Sequence, residues 1–88
     1  MVDEKLRQKI CEETEGEAVV FDKPAFDKAI VGITYDDRVI YDYEKMVEEF
    51  ASDNEVSREE AEEFIMMKTL RALPDMGEHR PIILIEKI

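Results

Sequence analysis

Cysteine and histidine, which can supply nucleophilic or metal-binding chemistry, occur once each in this chain, as Cys11 and His79. Their spacing is compatible with a nucleophile–base pair, but no neighbouring pattern supplies an oxyanion hole or an orienting group. A zinc site needs more ligands of these types, and the isolated glycines form no phosphate-binding loop. We therefore predict no catalytic residue, no metal site and no cofactor, and interpret the protein as non-enzymatic.

An acidic loop between two predicted helices raises the question of an EF-hand calcium site. Counted from Asp53, the place of the required loop glycine falls on Arg58, and that of the closing glutamate falls on Phe64. The loop therefore lacks the ligands that a dedicated calcium site needs.

Acidic side chains are densest between Tyr41 and Glu63, where ten carboxylates face two basic residues, Lys45 and Arg58. This segment carries −8 of the formal net charge of −11. Two interpretations stay open: an acidic face that docks on a basic groove, or solvated helix faces that promote solubility. In the first interpretation the partner-binding residues are Asp42, Glu44, Glu48, Glu49, Asp53, Glu55, Glu59, Glu60, Glu62 and Glu63.

The charge also limits the kinds of partner. A surface this negative repels DNA, RNA and anionic lipid, so we expect no direct nucleic-acid or membrane binding. A basic protein surface, such as that of a nucleic-acid-binding enzyme, is the expected partner. The N-terminus lacks a signal-peptide pattern, no apolar stretch approaches the ~20 residues of a membrane span, and the single cysteine excludes an internal disulfide. We therefore expect a cytoplasmic protein.

Hydrophobic periodicity in the first half predicts one helix and three strands. The helix covers residues 3–14, with Asp3 as its cap and Gly16 just past its end. Strands are predicted over residues 18–21, 29–35 and 38–41. The last two form a hairpin, whose tight turn at Asp36 and Asp37 requires positive φ angles that an aspartate tolerates less well than glycine.

The second half predicts two helices and a final strand. One helix starts at Asp42 and ends near residues 52–54, with a single apolar face. The next opens at Ser57 with a capping-box pattern and stops before Pro74. The apolar run 82–85 predicts a strand that is buried on both faces and lies near the centre of the sheet.

These elements define one α+β domain over residues 1–88. We expect a mainly antiparallel sheet of three to four strands, packed by two to three helices. The predicted core comprises Val31, Ile33, Ile40, Met46, Val47, Phe50, Phe64, Ile65, Leu70, Ile83 and Ile85.

The second half of the third predicted helix is apolar nearly all the way round. A sheet covers one side of such a helix, so the rest needs another helix or another chain. Met66, Met67 and Leu70 are therefore candidate oligomer-interface residues, and a homodimer built on residues 64–73 is the alternative functional interpretation. The second helix is the internal alternative for covering this side.

Several short runs together resemble an uncharacterised family of small acidic proteins from gut bacteria and their phages. They are Gly32-Ile33-Thr34, Val39 to Met46, Glu59-Glu60-Ala61, Thr69 to Pro74 and Pro81 to Leu84. The resemblance covers roughly residues 20–88, and the family tends to have Asp-Gly where this chain has Asp36-Asp37. It implies no activity and no functional residue. It does imply mobile-element biology, in which small acidic proteins often block host defence enzymes. Together with the acidic segment, it leads us to predict a phage or mobile-element inhibitor of a nucleic-acid-handling host enzyme, such as an anti-CRISPR protein that mimics nucleic acid.

Overall fold

The first helix opens the part of the chain that the structure, a computed structural model, describes: residues 4–86. It is α1, Glu4–Thr14, and its predicted cap, Asp3, lies outside the described residues. α1 ends where Glu15 and Gly16 adopt left-handed φ angles of 54° and 77°. The Gly16 amide donates to the carbonyl of Cys11 at 2.9 Å, which closes the last turn as a glycine C-cap does.

The strand predicted over residues 18–21 is wrong, because this segment forms no ladder. Its amides donate elsewhere: Ala18 to the hydroxyl of Thr14 at 3.3 Å, Val19 to the carbonyl of His79 at 3.4 Å, and Phe21 to the hydroxyl of Tyr41 at 3.1 Å. A 3₁₀ helix, Pro24–Ala29, follows. It was not predicted.

The predicted hairpin is present, but its strands are short and its loop differs. β1 is Ile30–Ile33 and β2 is Val39–Asp42. The Thr34 amide donates to the carbonyl of Arg38 at 2.8 Å, so a three-residue loop replaces the predicted two-residue turn. Asp37 has a φ of 62°, as expected for the left-handed residue that ends such a loop.

The second helix, α2, spans Tyr43–Asn54, one residue after the predicted start at Asp42, and Asp42 caps it by accepting from the Lys45 amide. α3 is Arg58–Phe64, with the hydroxyl of Ser57 accepting from the Glu60 amide at 3.2 Å. The helical path then continues as a π-helix, Ile65–Thr69, and a 3₁₀ helix, Leu70–Met76. The prediction that the helix stops before Pro74 is therefore wrong, because the 3₁₀ helix includes this proline.

The last strand, β3, is Ile82–Leu84. The sheet order is β1-β2-β3, with β1 antiparallel and β3 parallel to β2. The prediction that this strand lies near the sheet centre is wrong: β2 is central and β3 is an edge strand. The α+β fold class, a small sheet packed by helices, is confirmed.

The core lies between the sheet, α2 and the 3₁₀ helix Pro24–Ala29. Met46, Val47, Phe50 and Ile65 are buried there as predicted, and five further predicted residues pack at its margin or are half-buried: Ile33, Ile40, Phe64, Leu70 and Ile83. Val31 and Ile85 are exposed, so their assignment to the core was wrong. Val31 occupies a bulge on an edge strand, and Ile85 lies beyond the end of β3. Fully buried residues that were not predicted include Phe26, Ala29, Val39 and Tyr41.

Candidate protein-binding surface

Cys11 and His79, considered above as a nucleophile–base pair, do not form such a pair in the described residues. Cys11 is exposed on α1. The Nδ1 atom of His79 lies 3.8 Å from a carboxylate oxygen of Glu17. Within residues 4–86, no hydrogen bond joins Cys11 to His79, and no cluster of three histidine, cysteine, aspartate or glutamate side chains is arranged to hold a metal ion.

Three of the ten predicted partner-binding carboxylates are paired with basic residues. Arg58 donates through Nη2 to Glu44 and through Nε to Glu62, the latter at 3.0 Å. The hydrogen bond with Glu44 is the main reason that the pKa of Arg58 is raised above its usual value. Lys28 lies 3.9 Å from Glu49. A fourth carboxylate, Asp42, serves as the cap of α2.

The acidic residues of α2 do not share one side of the helix. Glu44 and Glu48 are one turn apart, and Glu49 and Asp53 form a second such pair. Glu49 follows Glu44 by five positions, which is about 140° of helix rotation. Glu44 pairs with Arg58 of α3, whereas Glu49, on another side of α2, lies near Lys28.

Besides the cap residue Asp42, six of the predicted carboxylates form no ion pair within residues 4–86: Glu48 and Asp53 on α2, Glu55 just after it, and Glu59, Glu60 and Glu63 on α3. Glu59, Glu60 and Glu63 are exposed, and in residues 4–86 no lysine or arginine nitrogen lies within ion-pairing distance of them. Glu59 and Glu63 are one turn apart, a spacing at which like charges repel by about 0.2–0.5 kcal/mol. Glu55, exposed with a left-handed φ of 53°, continues the negative charge toward α2.

The methionines predicted for an oligomer interface lie directly after these acidic residues. Met66 and Met67 are 59% and 54% exposed, whereas Ile65 and Thr69 of the same π-helix are buried. Leu70 is half-buried and packs against the core, so it contributes little to an external contact. We call Glu59, Glu60, Glu63, Met66 and Met67 the acidic–methionine surface.

A shallow cavity of about 260 Å³ joins the two halves of this surface. It is lined by Glu60, Glu63, Phe64, Met67 and Lys68. Phe64 stacks on Phe50, with ring centroids 4.5 Å apart. The cavity lining therefore combines a packed aromatic ring and Met67 with two carboxylates and one ammonium.

Two larger cavities are also present, and the second of them shares Phe64 and Lys68 with the small cavity. One, of about 580 Å³, separates α1 from β1. Another, of about 460 Å³, lies between residues 19–23 and the π-helix, with Lys23 and Lys68 among its lining residues. The Nζ atom of Lys23 lies 5.1 Å from the ring centroid of Phe64, within cation–π range.

The acidic residues and the methionines were both predicted from the sequence as binding residues, but as two separate sites. The signal that joins them is the spacing of Glu63 and Met67, four residues apart across the junction of α3 and the π-helix. The ion pair of Arg58 with Glu62 could also be predicted from the sequence, because the two residues are four apart on one helix. The ion pair of Arg58 with Glu44 could not be predicted in this way, because it joins two helices.

Comparison with known proteins gives no relative: no family model, no curated protein and no solved structure matches this chain. In the described part of the chain, no helix is both long and apolar enough to cross a lipid bilayer.

Proposed function

We propose that the protein is a non-enzymatic binding module whose acidic–methionine surface holds a basic, partly apolar element of another protein. The observation that carries the proposal is the cavity in which Phe64 and Met67 lie beside two carboxylates, Glu60 and Glu63, and one ammonium, Lys68. A lysine or arginine side chain has the matching composition, because it combines a charged head with an apolar stem.

The carboxylates and the methionines of the acidic–methionine surface contribute to binding in different ways. Unpaired carboxylates on a chain of net charge −11 attract a basic partner over distance and raise the association rate. Methionine side chains adapt their shape to the surface they meet. Together they support binding to a basic groove or helix.

A second copy of the chain fits this surface less well. In a two-fold symmetric dimer each patch packs on itself. A contact centred on Met66 and Met67 would therefore bring Glu63 of each copy toward the acidic residues of the other. Two chains of net charge −11 already repel one another, so a basic partner is the better complement.

In its narrower form the proposal is a cytoplasmic inhibitor of a nucleic-acid-handling enzyme, of the anti-CRISPR type. Carboxylates on the outer side of α3 would occupy the basic channel in which that enzyme holds phosphates. The support is the net charge and the unpaired acidic row. Other basic proteins satisfy the broader proposal equally well.

The test is quantitative affinity capture from a bacterial lysate with three baits: the wild-type protein, a Glu60→Gln/Glu63→Gln variant, and a Glu78→Gln/Glu86→Gln control. The control removes the same charge from exposed positions outside the surface. We expect a basic partner that the wild type and the control retain and the first variant loses at least tenfold. Binding should weaken with added salt, and duplex DNA should release a nucleic-acid-handling partner.

Equal recovery by both variants would contradict the proposal. Light scattering on the free protein tests the competing assembly. A dimer that dissociates on Met67→Lys substitution would favour the homo-oligomer interpretation.

A further inference from the structure

A groove with a volume of about 580 Å³ lies between α1 and one edge of the sheet. α1 lines it with Leu6, Lys9, Ile10 and Glu13, whose spacing places them on a single helix face. The opposite wall is formed by the consecutive residues 30–35. Because successive strand side chains point to opposite faces, a cavity touched by every residue in turn borders the edge of the strand.

β1 presents unpaired backbone groups at this edge. Thr34 and Arg38 form a hydrogen-bonded pair, since the Thr34 amide donates to the Arg38 carbonyl at 2.8 Å. Hydrogen-bonded and non-hydrogen-bonded pairs alternate along an antiparallel ladder. Ile33, which lies opposite Val39, therefore directs its N–H and C=O away from β2. No loop, helix or side-chain group of residues 4–86 forms a hydrogen bond with the backbone of Ile33.

Two side chains beside this edge are unusually exposed. The β1–β2 register shifts between Ile30 and Gly32, so Val31 sits in a bulge, and bulges redirect a side chain. Val31 is 38% exposed and lines the groove. Tyr35, at the end of the same wall, is fully exposed. A β-branched residue and an aromatic ring therefore flank the unpaired backbone of Ile33.

We propose that this groove binds an extended peptide segment of a partner protein, which adds to the free edge of β1 as a new strand opposite α1. Main-chain hydrogen bonds give affinity in this mode of recognition, and alternate side chains give specificity. Here the alternate apolar side chains would meet Leu6 and Ile10. The lining carries two carboxylates, Glu13 and Asp37, against one ammonium, Lys9, which favours a peptide with a basic residue.

The inference goes beyond the function proposed above, since it concerns different elements of the fold. The acidic–methionine surface lies on α3 and the π-helix, whereas the groove lies between α1 and β1. Each proposal can therefore fail without the other.

The test is a titration of the isotope-labelled full chain with the synthetic peptide Ac-Thr-Val-Lys-Val-Thr-Val-NH2, followed by amide NMR. We expect saturable shifts centred on Val31, Ile33 and Thr34. A peptide with the same side chains, N-methylated at two successive central amides, places one methyl group toward β1 in either register. It should bind at least tenfold more weakly, because it lacks the donor that Ile33 requires.

Two further variants link binding to the groove. Val31→Asn should weaken peptide binding at least threefold, whereas Ile85→Asn, the same kind of change at an exposed position beyond β3, should not. The Glu60→Gln/Glu63→Gln variant should bind the peptide as the wild type does. Equal affinity for the methylated peptide, or shifts confined to β3 or α3, would overturn the proposal. So would concentration-dependent shifts of the β1 amides without peptide, which would make a second copy the occupant.

Discussion

The guanidinium of Arg7 holds the carboxylate of Asp27 through two hydrogen bonds, 2.8 Å from Nε to Oδ2 and 2.7 Å from Nη2 to Oδ1. Arg7 lies on α1, and Asp27, whose side chain is 1% exposed, lies on the 3₁₀ helix Pro24–Ala29. The same guanidinium donates to the carbonyl of Phe21 at 3.0 Å. One side chain thus ties α1 to two segments that have no place in the sheet.

Replacing one member of this pair should destabilise the fold strongly. Arg7→Met removes the counter-charge of a buried carboxylate, which typically costs about 3–5 kcal/mol. Since Arg7 is partly exposed, we expect about 3 kcal/mol in the free energy of unfolding measured with urea. The double variant Arg7→Met/Asp27→Leu should recover part of that loss, because it leaves no buried charge. A change below about 0.5 kcal/mol in the single variant would contradict this role.

Ionisation of the buried Tyr41 should destabilise the folded protein at high pH. It is fully buried and accepts a hydrogen bond from the Phe21 amide at 3.1 Å. Burial raises its pKa from 10.0 to about 12. Because the folded-state pKa lies above the unfolded one, the protonated form stabilises the fold below pH 10, and this contribution is lost as the pH rises toward 12.

The expected loss is roughly 2–3 kcal/mol, from the two-unit shift in pKa. Unfolding free energies measured from pH 8 to 12 should therefore fall more steeply for the wild type than for Tyr41→Phe. Tyr41→Phe should itself be less stable near neutral pH by about 1–3 kcal/mol, since the Phe21 amide loses its acceptor. Tyr35→Phe, a change at a fully exposed ring, is the control and should follow the wild type. Parallel profiles for the wild type and Tyr41→Phe would be inconsistent with this assignment.

Arg58 pairs with one carboxylate of α2, Glu44, and with one carboxylate of α3, Glu62. Arg58→Gln should change the unfolding free energy by less than about 1 kcal/mol, because both of its ion pairs are exposed. It should free Glu44 and Glu62 and so increase the association rate with the captured partner at low salt. Stopped-flow association rates at several salt concentrations measure this effect. A slower rate in the variant would indicate that Arg58 itself contacts the partner.

The elements that local sequence determines were predicted well. Asp42 and Ser57 cap the helices that follow them, because a short polar side chain before an apolar periodic run satisfies the first free amides. The hairpin follows from two β-branched runs joined by a polar loop. Asp37 adopts the left-handed conformation that was expected in the turn, although it is not a glycine.

The features that were missed depend on contacts between distant segments. The apolar run Ala18 to Phe21 resembles a strand, but its amides are satisfied by Thr14, Tyr41 and a single loop carbonyl. The run 82–85 is apolar enough for a central strand, yet its parallel pairing with β2 leaves it at an edge. No local pattern encodes which strand occupies the centre.

The acidic–methionine surface, too, could be predicted only in part from the sequence. The sequence identifies Glu60, Glu63 and Met67 by type, but only the fold separates them from carboxylates that Arg58 and Lys28 neutralise. The edge groove was not predicted at all, since a free strand edge is a property of sheet order.

The most direct test of the acidic–methionine surface is methyl NMR of the methionines while the captured partner is added. The chain has five methionines, and buried Met46 and half-buried Met76 serve as internal references. We predict that the methyl signals of Met66 and Met67 shift or broaden in proportion to the bound fraction, while that of Met46 keeps its position. Binding that leaves the Met66 and Met67 signals unmoved would contradict it.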